Sequence, residues 1–195
     1  MADRSASIDR DTAETTVSVG LNLDRPDEPD VDTGIGFLDH LLTTLAVHGG
    51  FHLTASCDGD LYVDDHHSAE DCAIALGQAM DEALDDRRGI VRFGHAYAPL
   101  DEALARAVVD FSGRPHAEVD LGLEGDRLGE LATDNVPHVI RSLAMNANTT
   151  IHVEVIDGEN DHHQAEAAFK ALALALKQAM ALDGENIPST KGTLQ

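Results

Sequence analysis

Lysine is scarce in this chain. Of 195 residues only Lys170, Lys177 and Lys191 are lysine, and 13 basic residues face 36 acidic ones, for a formal charge of -23. That balance excludes a general nucleic-acid binder, because a phosphate backbone demands a basic surface. Cysteine is as sparse: Cys57 and Cys72 provide no disulfide framework and fit a reducing cytoplasm. Long apolar runs are missing too. The most apolar stretch, "AEAAFKALALALKQAMAL", carries two lysines and helical periodicity, which excludes a membrane span. The opening "MADRSASIDRD" has no apolar segment of a secretory signal. A cytoplasmic globular protein is expected, and 43% hydrophobic residues suffice for a sizeable core. So acidic a surface suits a salt-rich cytoplasm, where the Debye length shrinks to about 3 Å at 1 M. A halophilic host is therefore expected.

What is present is a repeat. "DHLLTTLAVHGGFHLTASCDGDLYVDDHHSAEDCAIALGQAM" aligns with "PHVIRSLAMNANTTIHVEVIDGENDHHQAEAAFKALALALKQAM". Each copy reads as a histidine opening an amphipathic helix, a strand, an acidic turn, His-His-x-x-Glu, and a long apolar-striped helix ending in "QAM". His40 precedes His66 by 26 positions and His138 precedes His162 by 24, a mismatch that a two-residue difference in the turn absorbs. Strand-like alternation precedes each copy, in "ETTVSVGLNL" and in "VRFGHAYAPL", "ALARAVVDFSG" and "HAEVDLGL". The expected fold is α+β: tandem half-domains, 1–91 and 92–195, each a small antiparallel sheet with two helices on one face. Neither half is large enough to be comfortable alone, so the helical faces pack together in a sheet, helices, sheet sandwich.

His-His-x-x-Glu is the chemical core of the repeat. On a helix Glu70 shares a face with His67 or His66, and Glu166 with His163 or His162. Adjacent histidines diverge by about 100°, so each pair is expected to serve two different ions. His40 and His138, at matching positions of the repeats, are the further donors. Six histidines and two glutamates suffice for two sites of three imidazoles and one carboxylate. Nitrogen-rich ligation without thiolate points to Mn, Fe, Co or Zn, and a carboxylate with open octahedral places leans toward Mn(II). The zinc-protease order His-Glu-x-x-His is absent. A single copy could be an acidic, solvated helix start; the second copy favours binding. The flanking Asp64, Asp65 and Asp71 admit two readings, partners of the ring N–H groups or salt-adapted surface.

Arg92, Arg114 in "SGRP", and the final "PSTKG" with Ser189, Thr190 and Lys191 are cations and hydroxyls suited to a phosphate. Taken singly each is ordinary, since a surface arginine in an acidic chain usually has an acidic partner.

"TGIGFLDHLLTTLAVHG", "DDHHSAEDCAIALGQA", "APLDEALARAVVDFSGRP", "DHHQAEAAFKALALAL" and "IPSTKGTL" together resemble the imidazoleglycerol-phosphate dehydratases of histidine biosynthesis, from "RDTAET" to the C-terminus. Nothing resembles the histidinol-phosphatase segment of some relatives, so a monofunctional enzyme is expected. The resemblance implies dehydration of imidazole glycerol phosphate to imidazole acetol phosphate with two Mn(II) ions per active site, in a homo-oligomeric shell of 24 subunits with sites between protomers. It implies that His40, His66, His67, Glu70, His138, His162, His163 and Glu166 are the metal ligands. It makes His48 a further active-site histidine, Glu14 the carboxylate of proton transfer, and Arg92, Arg114, Lys170, Ser189 and Lys191 substrate contacts. Ser68 stands where such proteins commonly have Thr, and "VPHVIRSLA" replaces a more aromatic helix start. Two other classes compete: a two-metal hydrolase, which more often bridges its ions with carboxylates, and a non-catalytic metal store, which has no use for the phosphate-binding cations.

Overall fold

The computed structural model describes residues 3–194. Its first sheet holds β1 (Ser5–Asp11), β2 (Thr15–Asn22), β3 (Asp30–Asp32) and β4 (His52–Gly59) in the order β1-β2-β4-β3, with α1 (Gly36–Gly49) between β3 and β4. Helix α2 (His66–Leu84) follows. The second sheet holds β5 (Phe93–Leu100), β6 (Ala103–Asp110), β7 (His116–Asp120) and, beyond a two-stranded hairpin of β8 (Arg127–Leu128) and β9 (Leu131–Ala132) and helix α3 (Asn135–Asn146), β10 (Thr150–Asp157). Its order, β5-β6-β10-β7, repeats that of the first sheet position by position. Helix α4 (Asp161–Met180) completes the second set.

The strands owe their faces to period-two alternation. In β2 the side chains of Thr15, Val17, Val19 and Leu21 are buried and their neighbours are not; in β6 the same holds for Ala103, Ala105, Ala107 and Val109. The helices bury 3.6-period stripes, Leu38, Leu41, Leu42 and Leu45 on α1 and Ala165, Ala168, Phe169, Leu172 and Leu176 on α4. Each long helix covers its own sheet and also grips a helix of the other set: α2 packs on β1 and β2 and against α3, while α4 packs on β5 and β6 and against α1. The helical layers are thus crossed. One contiguous core runs through both sheets and all four helices.

Glycine sets one of these contacts. A Cβ at Gly77 of α2 would stand 2.7 Å from the Leu143 carbonyl oxygen and 2.8 Å from Cβ of Asn146, so α3 approaches α2 more closely than any side chain allows.

Two features depart from the expectation and a third meets it. The sheets are mixed, because β3 pairs parallel with β4, and β7 with β10; a helix-long crossover between two neighbouring strands brings the chain back in the same direction. Strands β1 and β3 and the β8–β9 hairpin went unread. β1 is an edge strand with alternately exposed and half-buried residues and β3 has only three residues, so neither carries a hydrophobic pattern. The expected two-residue difference between copies lies where it was placed: β4 and α2 are separated by residues 60–65, β10 and α4 by 158–160, and α4 begins one position earlier in its copy. Among the described residues no helix is long and apolar enough to cross a membrane.

Candidate active site

Both His-His-x-x-Glu segments open helices, and their N-termini are held by side chains. Asn160 Oδ1 accepts the backbone N–H groups of His162 (2.9 Å) and His163 (3.3 Å). Before α2, Asp64 Oδ1 accepts the N–H of His66 at 2.9 Å. These contacts fix where the paired rings leave the helix.

The rings then part. In α4, His162 faces Glu166 one turn on, Nε2 to Oε2 3.3 Å, and Glu166 Oε2 also meets Nε2 of His40 on α1 at 3.0 Å. In α2, His66 faces Glu70 at 3.8 Å, and Glu70 Oε1 meets Nε2 of His138 on α3 at 3.1 Å. Two triplets result, His40/His162/Glu166 and His66/Glu70/His138, each with donor atoms within 4.8 Å of one another. Each is built crosswise: α1 of the first copy joins α4 of the second, and α2 of the first joins α3 of the second. The i,i+4 histidine is the one beside the glutamate in both.

His67 and His163 take the other direction. Nδ1 of His67 lies 3.1 Å from Asp60 Oδ2, and its Nε2 lies 3.9 Å from Glu14 Oε1. Nδ1 of His163 lies 2.7 Å from Glu102 Oε2, with Asp101 at 3.8 Å from Nε2. The carboxylates raise both imidazole pKa values from the ordinary value, through the Asp60 and Glu102 hydrogen bonds above all. The His163 ring in turn holds Glu102 down at about 2. Glu166 is also pulled down to about 2: partial burial opposes ionisation, but the Lys170 ammonium at 2.7 Å and the His40 ring outweigh it.

The acidic neighbours of His66 now separate. Asp64, just before the helix, accepts the His66 N–H; Asp71 is buried and accepts from Thr15 Oγ1 at 2.5 Å and Arg10 Nε at 3.0 Å; Asp65 is buried against the hairpin. None of them bonds a histidine ring directly. Asp60, Asp101, Glu102 and Asn135, which do or nearly do, were missed in the sequence. Asn135 is far from the motif, and no spacing rule connects it to His66.

The remaining expected residues are more scattered. His48 is exposed in the last turn of α1, outside both triplets. Arg92 clasps Asp110 through Nε (2.7 Å) and Nη2 (3.2 Å) and donates through Nη1 to the Pro188 carbonyl at 2.9 Å, so it ties the C-terminal tail to β6. Arg114 is exposed, with no ion pair among the described residues. Ser189, Thr190 and Lys191 form a turn in which Ser189 Oγ accepts the Lys191 N–H at 3.2 Å. The tail is anchored beyond them, where the buried Arg87 donates through Nη1 to the Leu194 carbonyl at 2.6 Å. A cleft of about 710 Å³, lined by Arg4, Asp24, Leu84 and Arg88, lies at the far end of α2 from His66. At 1.5 Å per residue that is roughly 27 Å away, so this cleft is separate from the triplets.

Fold and site together define a tandemly duplicated α+β protein whose two copies jointly build a pair of imidazole–carboxylate centres. A family model described as imidazoleglycerol-phosphate dehydratase matches residues 33–176. The imidazoleglycerol-phosphate dehydratase of Salinibacter ruber is 52% identical over 193 residues, 98% of this chain and 96% of that protein. The one from Candida glabrata is 59% identical over 165 residues, 84% of this chain and 79% of that protein. The crystal structure of the Staphylococcus aureus enzyme superposes with a TM-score of 0.83 at 36% identity, covering 91% of this chain and 99% of that one. The chain belongs to the imidazoleglycerol-phosphate dehydratase family.

Proposed function

We propose that each crossed triplet holds one divalent cation, Mn(II) by its donors, and that dehydration takes place at these centres. The reaction itself follows from the family: the chain is a hydro-lyase of histidine biosynthesis, converting imidazole glycerol phosphate to imidazole acetol phosphate and water. The single observation that carries the cation reading is the pair of triplets, each two imidazoles and a carboxylate with donors inside 4.8 Å. The donor set fits such an ion, being nitrogen and oxygen without thiolate and leaving coordination places open.

Bound cations would supply Lewis acidity and a template for the substrate's imidazole ring. This chain's residues then have separable tasks. Dehydration breaks a carbon–hydrogen and a carbon–oxygen bond, so a base must take the proton and the hydroxyl must leave with one. Glu14 is the reading's proton carrier, supported by its place beside His67 and its exposure. The enol left behind regains a proton at carbon to become the ketone. His48 is the second active-site histidine of this reading. Arg114, Lys170, Ser189, Thr190 and Lys191 would bind the phosphate and orient the substrate chain, with Arg92 holding the tail by Pro188.

The assembly reading rests on what each triplet leaves over. His67 and His163 turn away from their own triplets, and three donors fall short of the four protein ligands expected at each centre. We therefore read the centres as shared between chains of a homo-oligomer of 24 subunits, in which His67 and His163 complete a neighbour's site. Segments 1–91 and 92–195 act as repeats of one catalytic domain. The compartment of this reading is a cytoplasm, and the acidic surface favours a salt-rich one.

Product analysis tests the proposal. With imidazole glycerol phosphate and Mn(II), the protein is expected to form the ketone and to stop when chelator is added. Release of inorganic phosphate instead would point to a hydrolase.

A further inference from the structure

The two centres are not equivalent, and the difference traces to an insertion in one copy. Between β3 and α1 the first copy has three residues, 33–35, whereas between β7 and α3 the second has residues 121–134 with the β8–β9 hairpin. That hairpin folds onto Asp65, which is 4% exposed. The Asp65 carboxylate receives the Ala132 N–H at 2.7 Å, Asn135 Nδ2 at 2.8 Å and Arg127 Nη2 at 2.9 Å.

This arrangement fixes a proton. A carboxylate surrounded by donors only accepts, so Asn135 must turn its NH2 group toward Asp65, and its Oδ1 therefore faces Nδ1 of His66 at 2.9 Å. An amide oxygen cannot donate, so the proton of the His66 ring resides on Nδ1. Nε2 is left with its lone pair, on the side of Glu70 and of the His138 ring, which stacks on His66 at 4.8 Å between centroids. The other triplet has no such device: among the described residues, neither His40 nor His162 has a hydrogen-bond partner on its second ring nitrogen. Its carboxylate also differs. Glu166 carries the Lys170 ammonium at 2.7 Å, whereas the residue four positions after Glu70 is Ile74.

We infer that Asn135, held by Asp65, is a positioning residue that fixes the His66 tautomer and makes His66/Glu70/His138 the tighter of the two cation centres. The centre at His40/His162/Glu166 is the weaker, because a bound cation there has Lys170 for a neighbour and an unoriented His162 for a ligand. This assignment rests on the reading of the triplets as cation centres. Partners that orient a ligating histidine typically contribute about 10–100-fold in metal affinity.

The test uses the full chain in its native assembly, stripped with chelator, dialysed and titrated with Mn(II) alone, the free ion being read by electron paramagnetic resonance. Two classes of site are expected, differing by about tenfold or more. Asn135→Leu, close in volume and unable to accept, is expected to weaken the tighter class by about 10–100-fold and leave the other unchanged. Asn135→Asp keeps an acceptor for Nδ1, and its carboxyl group and that of Asp65 share a proton in place of the amide bridge, so it is expected to weaken the tighter class by less than about tenfold. A merely structural role for Asn135 would make the two variants equally damaging, and that result overturns the assignment. Two equal classes in the unaltered protein, or a shift of both classes in Asn135→Leu, overturn it as well. No binding at all would overturn the cation reading beneath it too, which separates the two failures.

Discussion

Glu166 Oε2 lies 3.0 Å from Nε2 of His40, a residue 126 positions earlier on another helix of the other copy. Neither copy could form that contact alone. The crossing of α1 onto α4 and of α3 onto α2 gathers each triplet, so the centres exist only when both copies fold together. Replacing Glu166 or Glu70 by Gln removes one charged donor from one centre. Each variant is expected to bind one cation per chain fewer under conditions that fill both centres in the parent, with affinity at the altered centre lowered by about 100-fold or more. Metal analysis after gel filtration checks this, and full stoichiometry in either variant would contradict it.

Glu14 is exposed and 3.9 Å from the His67 ring, so it can be altered at little cost to the fold. Glu14→Gln is expected to lower kcat by about 10²–10⁴-fold while KM and Mn(II) affinity change little. Steady-state kinetics decide; a nearly full kcat would remove Glu14 from proton transfer.

The close approach at Gly77 is expected to matter more than its position, far from any donor, implies. Gly77→Ala puts a methyl within 3 Å of the Leu143 carbonyl oxygen and the Asn146 side chain. Pushing α3 outward should cost about 1–3 kcal/mol, and because α3 carries His138, it should weaken the His66/Glu70/His138 centre and spare the other. Thermal denaturation with a Mn(II) titration reads both effects.

Arg87 holds the tail from inside. It is 4% exposed, pairs with Asp81, and reaches the Ala147 carbonyl at 3.3 Å and the Leu194 carbonyl at 2.6 Å. Burial pushes its pKa down, and Asp81 counters that. Arg87→Met leaves the Ala147 and Leu194 carbonyls without this donor and Asp81 with Asn148 alone, which should cost about 1–3 kcal/mol. It should also raise KM for the phosphorylated substrate, by loosening the segment that carries Ser189 and Lys191. Unchanged stability and KM would contradict this role for Arg87.

A chain of formal charge -23 repels itself when compact. Its unfolding temperature is expected to rise steeply between low and molar NaCl, as screening shortens the Debye length from about 30 Å at 0.01 M to about 3 Å at 1 M. Equal refolding at both salt concentrations would count against adaptation to salt.

Much of this was legible in the sequence because duplication writes the same constraint twice. The pairing of Glu70 with "HH" and of Glu166 with its twin followed from helical spacing, and the two-residue slack was correctly put in the turn before α2. What could not be read is what depends on approach between distant segments. No local pattern distinguishes His40 joining His162 from His40 joining His66; packing of α1 on α4 decides it. The short β3 has too few residues for alternation, and β1 lies on an edge with no fully buried side chain. Asn135 lacks any signature, since its role comes from a hairpin that reaches Asp65, 70 positions earlier.

The most direct measurement of the central claim is turnover against metal content. The chelator-treated assembly is supplied with imidazole glycerol phosphate and increasing Mn(II), and imidazole acetol phosphate is followed as it forms. No product is expected without metal, and the rate is expected to reach its plateau when both triplets of each chain are filled, at two ions per chain. Full turnover in the presence of chelator, or a plateau at one ion per chain, would contradict the claim.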